Sequence, residues 1–286
     1  MLTRSYVLAL LASQTRAFPR QISTIPRPLR VITFDLDDTL WSTSEVIGAA
    51  NRALTSHLLQ NSPPHTPATP PPPEIWKLMQ SEYKVNPSPY SGADDPSGSS
   101  PAVQLTALRK VAISQYHTAT NNPSPLSSFV TKSFSVWEDA RHKACGIYQA
   151  SNVVDTLNLL KAKNGKSLII GAITNGNANV CKVEQLGELF DFSITSENIH
   201  FAKPSPRIFE AAIEMAKQFG NHEGDVNGWV HVGDDLEKDV QASKSLGMRT
   251  IWCKEFVDSR ENEDKNDCND CDYVVEKFSD IGSLEF

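Results

Sequence analysis

The segment Val31-Ile-Thr-Phe-Asp35-Leu-Asp37-Asp38-Thr39-Leu40 is an apolar run that ends abruptly in a cluster of acids. Burying a carboxylate costs several kcal/mol unless a cation or hydrogen-bond donors compensate its charge. Asp35 and Asp37 stand one residue apart at the end of a strand, so they need a partner, and a divalent cation is the natural one. Taken alone, the segment also fits a strand that runs into a solvated acidic turn.

The chain from residue 151 onward alternates short apolar strands with helical patterns. Strands are predicted at 167–173, 192–195, 228–232, 249–252 and 273–275, and helices at 153–163, 178–186, 204–219 and 236–246. This alternation is typical of a parallel sheet with right-handed crossovers. The sequence therefore predicts an α/β fold whose core is formed by residues 29–42 and 151–286.

The stretch between residues 43 and 150 has a different texture. Helices are predicted at 45–60, 74–83, 103–118 and 126–148, with no convincing strand between them. The separators at 62–73 and 86–101 are rich in Pro, Ser and Gly, which predicts extended loops. Four helices at this position indicate a bundle inserted after the first strand of the core. Residues 43–150 are called the helical insert below.

The bulk composition argues against two classes of partner. The 286 residues carry a formal net charge of −7, whereas proteins that bind nucleic acid usually have a basic footprint. No apolar run approaches the length of about 20 residues that spans a membrane. Five cysteines without the spacing of a disulfide framework favour a reducing compartment. No oligomeric state follows from the sequence.

Residues 1–28 are predicted to lie outside the fold, as a targeting leader or a disordered tail. The first 34 residues contain no acid but carry five arginines and several Ser and Thr. Such leaders are typical of transit peptides, so we expect an organelle, either a plastid or a mitochondrion. The alternative is a tail without an address, in which case the protein is cytoplasmic.

Unusual polar residues follow several of the predicted core strands. In an open parallel sheet, ligands bind outside the carboxyl ends of the strands. The polar residues that map to this edge are Asp35, Asp37, Thr174, Asn175, Lys203, Asp234 and Asp235. Four separate loops that each place such groups at one edge are difficult to assign to solvation, so the sequence predicts a ligand site there.

The chemistry that fits these residue types is phosphoryl transfer through a phospho-aspartate. A carboxylate can attack phosphorus and so split a slow hydrolysis into two easier steps. The hard oxygen ligands of Asp35 and Asp234 suit Mg²⁺. The ion and Lys203 would offset the charge of the transferring group. The substrate expected on these grounds is a small-molecule phosphate.

Three further residues complete the predicted site. Thr174 can donate a hydrogen bond to a phosphate oxygen, and backbone amides around Asn175 can form an anion nest. Asp37 is displaced from Asp35 by one pleat repeat, which places it to protonate the leaving oxygen and later to activate water. The sequence thus predicts a nucleophile, a general acid/base, a phosphate site and a metal site in one place.

The order of these residues resembles a known superfamily. Asp35-x-Asp37-x-Thr39, Thr174-Asn175, Lys203-Pro204 and Gly233-Asp234-x-x-x-x-Asp239 are similar to the four motifs of the haloacid dehalogenase (HAD) superfamily. The resemblance implies a three-layer Rossmann-like core with a parallel sheet, an inserted α-helical cap of the first type, and dependence on Mg²⁺.

The same resemblance implies a role for each site residue. Asp35 would be the nucleophile, and Asp37 the general acid/base with its main-chain carbonyl on the metal. Thr174 and Lys203 would hold the phosphoryl group, and Asp234 would be a metal ligand. Two carboxylates would support these groups from behind, namely Asp239 and, at a position that the superfamily leaves variable, Asp235.

A narrower resemblance concerns the substrate. The amino-acid sequence of residues 32–40, 172–178 and 231–236 is similar to that of a bacterial branch of phosphatases that act on FMN and on 5-amino-6-(5-phosphoribitylamino)uracil. The alternatives are a phosphomutase, another sugar-phosphate, phosphoglycolate or nucleotide phosphatase, and, from a different class, a non-catalytic binding module. The Pro-rich loops of the helical insert depart from that branch, and the cap sets substrate choice.

Overall fold

The computed structural model describes residues 28–63, 75–90, 103–165, 167–220, 225–257, 268 and 270–286. The leader predicted over residues 1–28 lies outside the described residues except for Pro28. Most of the two Pro-rich loops predicted at 62–73 and 86–101 also lies outside them. Among the described helices, none combines the length and the apolar character that crossing a lipid bilayer requires.

The core is a parallel sheet of six strands. They are β1 (Val31–Phe34), β2 (Ile169–Thr174), β3 (Phe192–Thr195), β4 (Trp229–Gly233), β5 (Arg249–Cys253) and β6 (Tyr273–Val275). Their order is β3-β2-β1-β4-β5-β6, and every neighbouring pair is parallel. β1 lies in the interior of the sheet, because Val31 pairs with Ile169 on one side and with Trp229 on the other. The predicted α/β fold is confirmed.

Helices account for most of the remaining described residues. Four lie within residues 43–150, where the helical insert was predicted: α1 (Thr43–Gln60), α2 (Ile75–Val85), α3 (Leu105–Ala119) and α4 (Leu126–Ile147). The others belong to the strand-helix alternation: α5 (Val153–Asn164), α6 (Ser196–Ile199), α7 (Pro206–Lys217) and α8 (Ala242–Ser245). Four-residue α6 is the helix that the sequence pattern did not predict.

Apolar side chains pack on both faces of the sheet. Successive residues of a strand point to opposite faces, so Ile32 and Phe34 belong to one apolar cluster and Val31 to a second. A third cluster lies within the helical insert and is centred on residues such as Leu54 and Trp137. Two covered faces explain why the core strands read as apolar runs rather than as alternating patterns.

One predicted helix, at 178–186, is wrong. The chain there makes a single 3₁₀ turn, Val180–Lys182, and continues as irregular turns. Asn179 begins the turn by accepting a hydrogen bond from the Cys181 amide on its side chain. Gln185 then takes a left-handed backbone conformation with φ of 70°. Local side-chain capping and this reversal stop a helix that the apolar spacing favoured.

A second predicted helix, at 236–246, has a different form. Residues Leu236–Gln241 form a π-helical turn, and α8 follows it directly. The Asp235 side chain caps the turn by accepting hydrogen bonds from the Glu237 and Lys238 amides. π-Helical turns are rare and frequently lie at functional sites. Here the turn carries Asp239 beneath the carboxyl end of β4.

Candidate active site

All eight residues predicted for the site line one cavity at the carboxyl edge of the sheet. The cavity has a volume of ≈ 270 Å³ and is lined by Asp35, Asp37, Asp38, Thr174, Asn175, Gly176, Lys203, Asp234, Asp235, Lys238 and Asp239. The chain leaves β1 for β2 on one side and later returns to β4 on the other. A parallel sheet opens a crevice at such a switch point, and the site lies in it.

The Lys203 ammonium group lies between two buried carboxylates. Its Nζ is 2.6 Å from Oδ1 of Asp35 and 2.5 Å from Oδ1 of Asp239. Burial opposes the charge of the ammonium group, but the two carboxylates raise the pKa of Lys203 above its ordinary value. Lys203 therefore stays protonated and presents a fixed positive charge beside Asp35.

Asp239 is held rigidly behind the cavity. Besides Lys203, its carboxylate contacts Nε2 of His231 at 3.3 Å and accepts a hydrogen bond from the Asp235 amide at 3.1 Å. Burial alone would raise the pKa of Asp239, but Lys203 and His231 hold that pKa well below its ordinary value. Asp239 thus remains ionised and orients Lys203, as expected for a supporting carboxylate.

Gly233 is required by the close approach of Asp239. A Cβ atom at position 233 would lie 2.2 Å from Cγ of Asp239, far inside van der Waals contact. The last residue of β4 therefore has no room for a side chain. This explains in steric terms why a glycine precedes Asp234.

Asp234 is a further, half-buried carboxylate at the cavity. Its Oδ1 accepts a hydrogen bond from the Thr39 hydroxyl at 3.2 Å, and its carbonyl accepts one from the Trp252 indole at 2.7 Å. Burial, and then repulsion by Asp239, raise the pKa of Asp234 to about 7. Burial also raises the pKa of Asp35 well above its ordinary value, and Lys203 offsets only part of that effect.

The carboxylates fit a hard divalent cation. One oxygen from each of Asp35, Asp234 and Asp239 lies within 4.8 Å of the others. The oxygens of Asp239 are already engaged by Lys203, His231 and a backbone amide. Asp35 and Asp234 therefore remain as carboxylate ligands, and burial raises the pKa of both, an effect that a bound cation would oppose. Such a pair suits Mg²⁺, which takes few protein ligands and keeps its waters.

Asp37 lies at the same cavity but in a different environment. Its Oδ1 accepts a hydrogen bond from the Trp41 indole at 3.0 Å, and its Oδ2 lies 3.5 Å from Nη2 of Arg141. A Cβ atom at Gly176 would lie 2.3 Å from that Oδ2, so the glycine makes room for the acid. The Asp37 side chain is 23% exposed, in contrast to buried Asp35. Asp37 is thus oriented by donors while it faces the cavity.

The loop after β2 supplies Thr174 and Asn175. The Thr174 hydroxyl accepts a hydrogen bond from the Gly176 amide at 2.9 Å and retains its own proton for donation. The Asn175 side chain accepts from the Lys203 amide at 2.7 Å and donates to the Lys203 carbonyl at 2.9 Å. The side chain of Asn175 therefore positions Lys203, so a phosphate contact at Asn175 has to come from its main chain.

Asp235 lines the cavity but its carboxylate is committed elsewhere. Besides capping the π-helical turn, it forms an ion pair with Lys238, with Nζ 2.5 Å from Oδ2. Hydrogen bonding to Lys238 lowers the pKa of Asp235 despite partial burial. Asp235 therefore shapes the loop that carries Asp234.

Arg141 is a site residue that the sequence analysis missed. It lies on α4, its side chain is only 2% exposed, and it donates a hydrogen bond to the Asn177 side chain in the loop after β2. Asn177 in turn donates to the Thr106 hydroxyl of α3 at 3.0 Å. The sequence does contain one sign that Arg141 is buried. It lies four residues after Trp137 and four before Cys145, so it shares a helical stripe with these two apolar residues.

The comparisons with known proteins agree with this geometry. The chain matches the family of haloacid dehalogenase-like hydrolases over residues 29–247. It is similar to the pyrimidine 5′-nucleotidase YjjG of Escherichia coli, with 36% identity over 100 residues, which cover 34% of this chain and 42% of the relative. A glyceraldehyde 3-phosphate phosphatase of Methanopyrus kandleri is 25% identical over 254 residues, which cover 87% of this chain and 94% of the relative.

A solved structure extends the similarity to three dimensions. The 2-haloacid dehalogenase of Pseudomonas syringae pv. Tomato DC3000 has a TM-score of 0.63 at 25% identity, covering 89% of this chain and 97% of the other. The chain spans less than half the length of the first curated relatives that it matches. The family match, however, covers well over half of the 286 residues and includes all eight site residues. The chain therefore belongs to the haloacid dehalogenase-like hydrolases.

Proposed function

We propose that this enzyme is a Mg²⁺-dependent phosphatase that hydrolyses a small-molecule phosphate monoester through a phospho-aspartate. The observation that carries the proposal is the pairing of buried Asp35 with Lys203 at 2.6 Å, with Asp234, Asp37 and Thr174 around the same cavity. An anionic nucleophile can approach an anionic phosphoryl group only where positive charge is supplied. Lys203 is a cation that the protein itself places there.

Each residue then has a role in two balanced steps. In the first, an oxygen of Asp35 bonds to phosphorus, the bond to the ester oxygen breaks, and Asp37 gives its proton to the departing oxygen. In the second, Asp37 takes a proton from a water molecule that attacks phosphorus. The bond between Asp35 and phosphorus then breaks and inorganic phosphate leaves. Lys203 and the Thr174 hydroxyl hold the phosphoryl oxygens throughout.

Asp35 and Asp234 would hold the magnesium ion, together with the main-chain carbonyl of Asp37. When bound, the ion supplies positive charge that reduces the repulsion between nucleophile and phosphoryl group. Asp239 would support the site through Lys203, and Asp235 through the loop of Asp234. A dehalogenase would use the nucleophile alone, because a halide leaves as an anion and needs no proton from Asp37.

We further propose FMN and 5-amino-6-(5-phosphoribitylamino)uracil as the leading candidate substrates. This choice is supported by the resemblance of residues 32–40, 172–178 and 231–236 to the bacterial phosphatases that act on these two compounds. The relatives named as a pyrimidine 5′-nucleotidase and a glyceraldehyde 3-phosphate phosphatase support the broader class of phosphate monoesters. A phosphomutase would use the same carboxylates and differs in returning the phosphate to its substrate.

The decisive experiment assays a panel of phosphorylated metabolites for phosphate release, with the wild type, Asp35→Asn and EDTA-treated protein. Asp35→Asn keeps the shape of the side chain but removes the anionic nucleophile, so turnover should fall below detection while the thermal melting curve keeps its cooperativity. EDTA should silence the wild type, and added Mg²⁺ should restore it. Full phosphatase activity in Asp35→Asn would refute the proposal.

We also propose that the core comprises residues 29–42 and 151–286, that residues 43–150 act as a cap of the first type, and that residues 1–28 direct the protein to a plastid or mitochondrion. The targeting role is supported by the composition of residues 1–28, which contain arginines but no aspartate or glutamate. Fusing residues 1–28 to a fluorescent protein tests it, and diffuse cytoplasmic fluorescence would contradict it.

A further inference from the structure

A second and larger cavity opens beside the catalytic one. It has a volume of ≈ 590 Å³ and lies between the helical insert and the core. Three residues line both cavities, Asn175, Lys203 and Lys238, so the two cavities adjoin. A group bonded to a phosphoryl group held at Lys203 would therefore lie next to the second cavity.

The walls of the second cavity are mostly apolar. The helical insert contributes large side chains from α2, from α3 and from the residues just before α3, and the core contributes the loop before α7. These side chains are Trp76, Met79, Tyr83, Val103, Leu105, Leu108, Ala202 and Pro204. Besides Asn175 and Lys203, the polar residues of the lining are Gln80, Ser196, Glu237 and Lys238. An apolar pocket with a few polar groups is the usual form of a site for an organic ligand.

Trp76 differs from the other tryptophans of the chain. The four others, Trp41, Trp137, Trp229 and Trp252, are at most 1% exposed, whereas Trp76 is 50% exposed. Trp76 thus lines the cavity with an indole that is half accessible. A planar ring stacked on it would remove apolar surface from water and gain the specific attraction between aromatic rings.

We propose that the second cavity binds the leaving group of the substrate, and that this leaving group carries a planar heteroaromatic ring stacked on Trp76. The inference rests on the proposed phosphatase function and narrows its substrate class. Short polyol or carboxylate leaving groups fit poorly, because their polar groups would be desolvated against apolar walls. The polar atoms of a heteroaromatic ring can instead meet Gln80, Glu237 or Lys238 at the border of the cavity.

The kinetic test compares Trp76→Ala with wild type on esters with and without a ring, all in the presence of Mg²⁺. FMN and uridine 5′-monophosphate are the ring-bearing probes, and glycerol 3-phosphate is the ring-free one. Losing the stacking partner should raise KM for the better ring-bearing ester by about tenfold. Its kcat should stay within about twofold, since Trp76 touches no reacting atom. Kinetics on glycerol 3-phosphate should not change.

Two matched variants separate stacking from general damage. Trp76→Phe keeps an aromatic face and should retain most of the affinity. Leu59→Ala removes a side chain that is also 50% exposed but lies on α1, away from the second cavity, and should behave as wild type. Because Trp76 is half exposed, its replacement should leave the thermal melting temperature nearly unchanged.

A binding measurement provides a readout that does not depend on turnover. Riboflavin, which lacks the phosphate, should lose fluorescence on titration with wild-type protein, because stacking on an indole quenches the flavin. If flavin is the better ring, the quenching should be much weaker with Trp76→Ala and intact with Leu59→Ala. If uridine 5′-monophosphate is the better substrate, competition by uridine with that ester should likewise weaken in Trp76→Ala.

The outcomes distinguish the two proposals. If the wild type cleaves glycerol 3-phosphate with a higher kcat/KM than both ring-bearing esters, the ring site is refuted and the phosphatase function stands. An unchanged KM for both ring-bearing esters in Trp76→Ala also refutes the ring site. If wild type with Mg²⁺ cleaves neither these three esters nor any other ester of the metabolite panel, the proposed function itself fails, and the inference that rests on it falls too.

Discussion

Asp37 has the surroundings that a proton-transfer group needs. It faces the cavity, while Trp41 and Arg141 orient its two oxygens from the protein side. Trp41 follows Asp37 by four residues, whereas Arg141 reaches it from the helical insert. The orientation of the proposed general acid therefore depends on how the insert packs on the core.

We predict that Asp37→Ala lowers kcat for an alkyl phosphate by about 100-fold or more, the usual scale of general acid–base catalysis. p-Nitrophenyl phosphate should lose less in the first step, because nitrophenolate leaves without a proton. A rapid-quench measurement of the nitrophenolate burst separates the two steps. Equal rates for wild type and variant on both substrates would show that Asp37 is not the acid.

Arg141 should act through Asp37 and not independently of it. Arg141→Gln is therefore expected to slow alkyl phosphates more than p-nitrophenyl phosphate, and to add little to the loss in an Asp37→Ala background. Exposed Lys143→Gln on the same helix is the control. Multiplicative losses in the double variant would contradict a positioning role.

The eight site residues were predictable from their positions in the chain. Each lies just after a predicted strand or near the start of a predicted helix, and these positions meet at one edge of the sheet. Arg141 and Asn177 were not predicted, because helical spacing can indicate that Arg141 is buried but cannot show that it contacts a loop 36 positions later in the chain. The hydrogen bonds that occupy the Asn175 side chain could not be predicted either. Its hydrogen bonds to the backbone of Lys203 span 28 positions of the chain.

At the scale of elements, the end of β4 and the π-helical turn are the most constrained part of the site. The turn brings the Asp239 carboxylate against Gly233, at a distance that excludes any side chain there. Apolar spacing predicted a helix at this place. Apolar spacing could not predict that the first turn is π-helical, because the wider turn accompanies the contacts that Asp239 makes with Lys203 and His231.

Gly233→Ala tests this constraint. The added methyl group should displace Asp239 or the strand end, lowering the free energy of unfolding by about 1–3 kcal/mol and disturbing Lys203 enough to reduce activity. Gly146→Ala on α4 is the matched control, since the nearest atom to its new Cβ is 4.0 Å away. That control should stabilise the helix by about 0.5–1 kcal/mol. Urea denaturation of both variants checks the prediction, which fails if Gly233→Ala unfolds like wild type.

At the scale of the whole molecule, the site is a concentration of buried negative charge at the switch point of the sheet. Its carboxylates come from the ends of β1 and β4 and from the π-helical turn, and Lys203 comes from the loop before α7. The order of strands and helices made this meeting predictable. The degree of burial, which raises the pKa of Asp234 to about 7, was not.

Protons should therefore compete with Mg²⁺ near neutral pH. A raised pKa means that metal-free Asp234 takes up a proton as the pH falls through about 7, and only the ionised carboxylate binds the ion. The apparent dissociation constant should rise about tenfold or more between about pH 8 and pH 6. Titration calorimetry at constant ionic strength measures it, and Asp234→Asn should abolish the high-affinity step. Equal affinity at both pH values would contradict the prediction.

The interior position of β1 also affects how the sheet can assemble during synthesis of the chain. Thr33 of β1 contacts His231 of β4, 198 positions later in the chain. During synthesis, both edges of β1 stay unpaired until β2 and then β4 have left the ribosome. Asp35 is thus translated well before Lys203 and Asp234. A nascent chain that has not yet reached β4 therefore carries Asp35 without Lys203 or Asp234 beside it, so the proposed phosphoryl transfer has to await the synthesis of both.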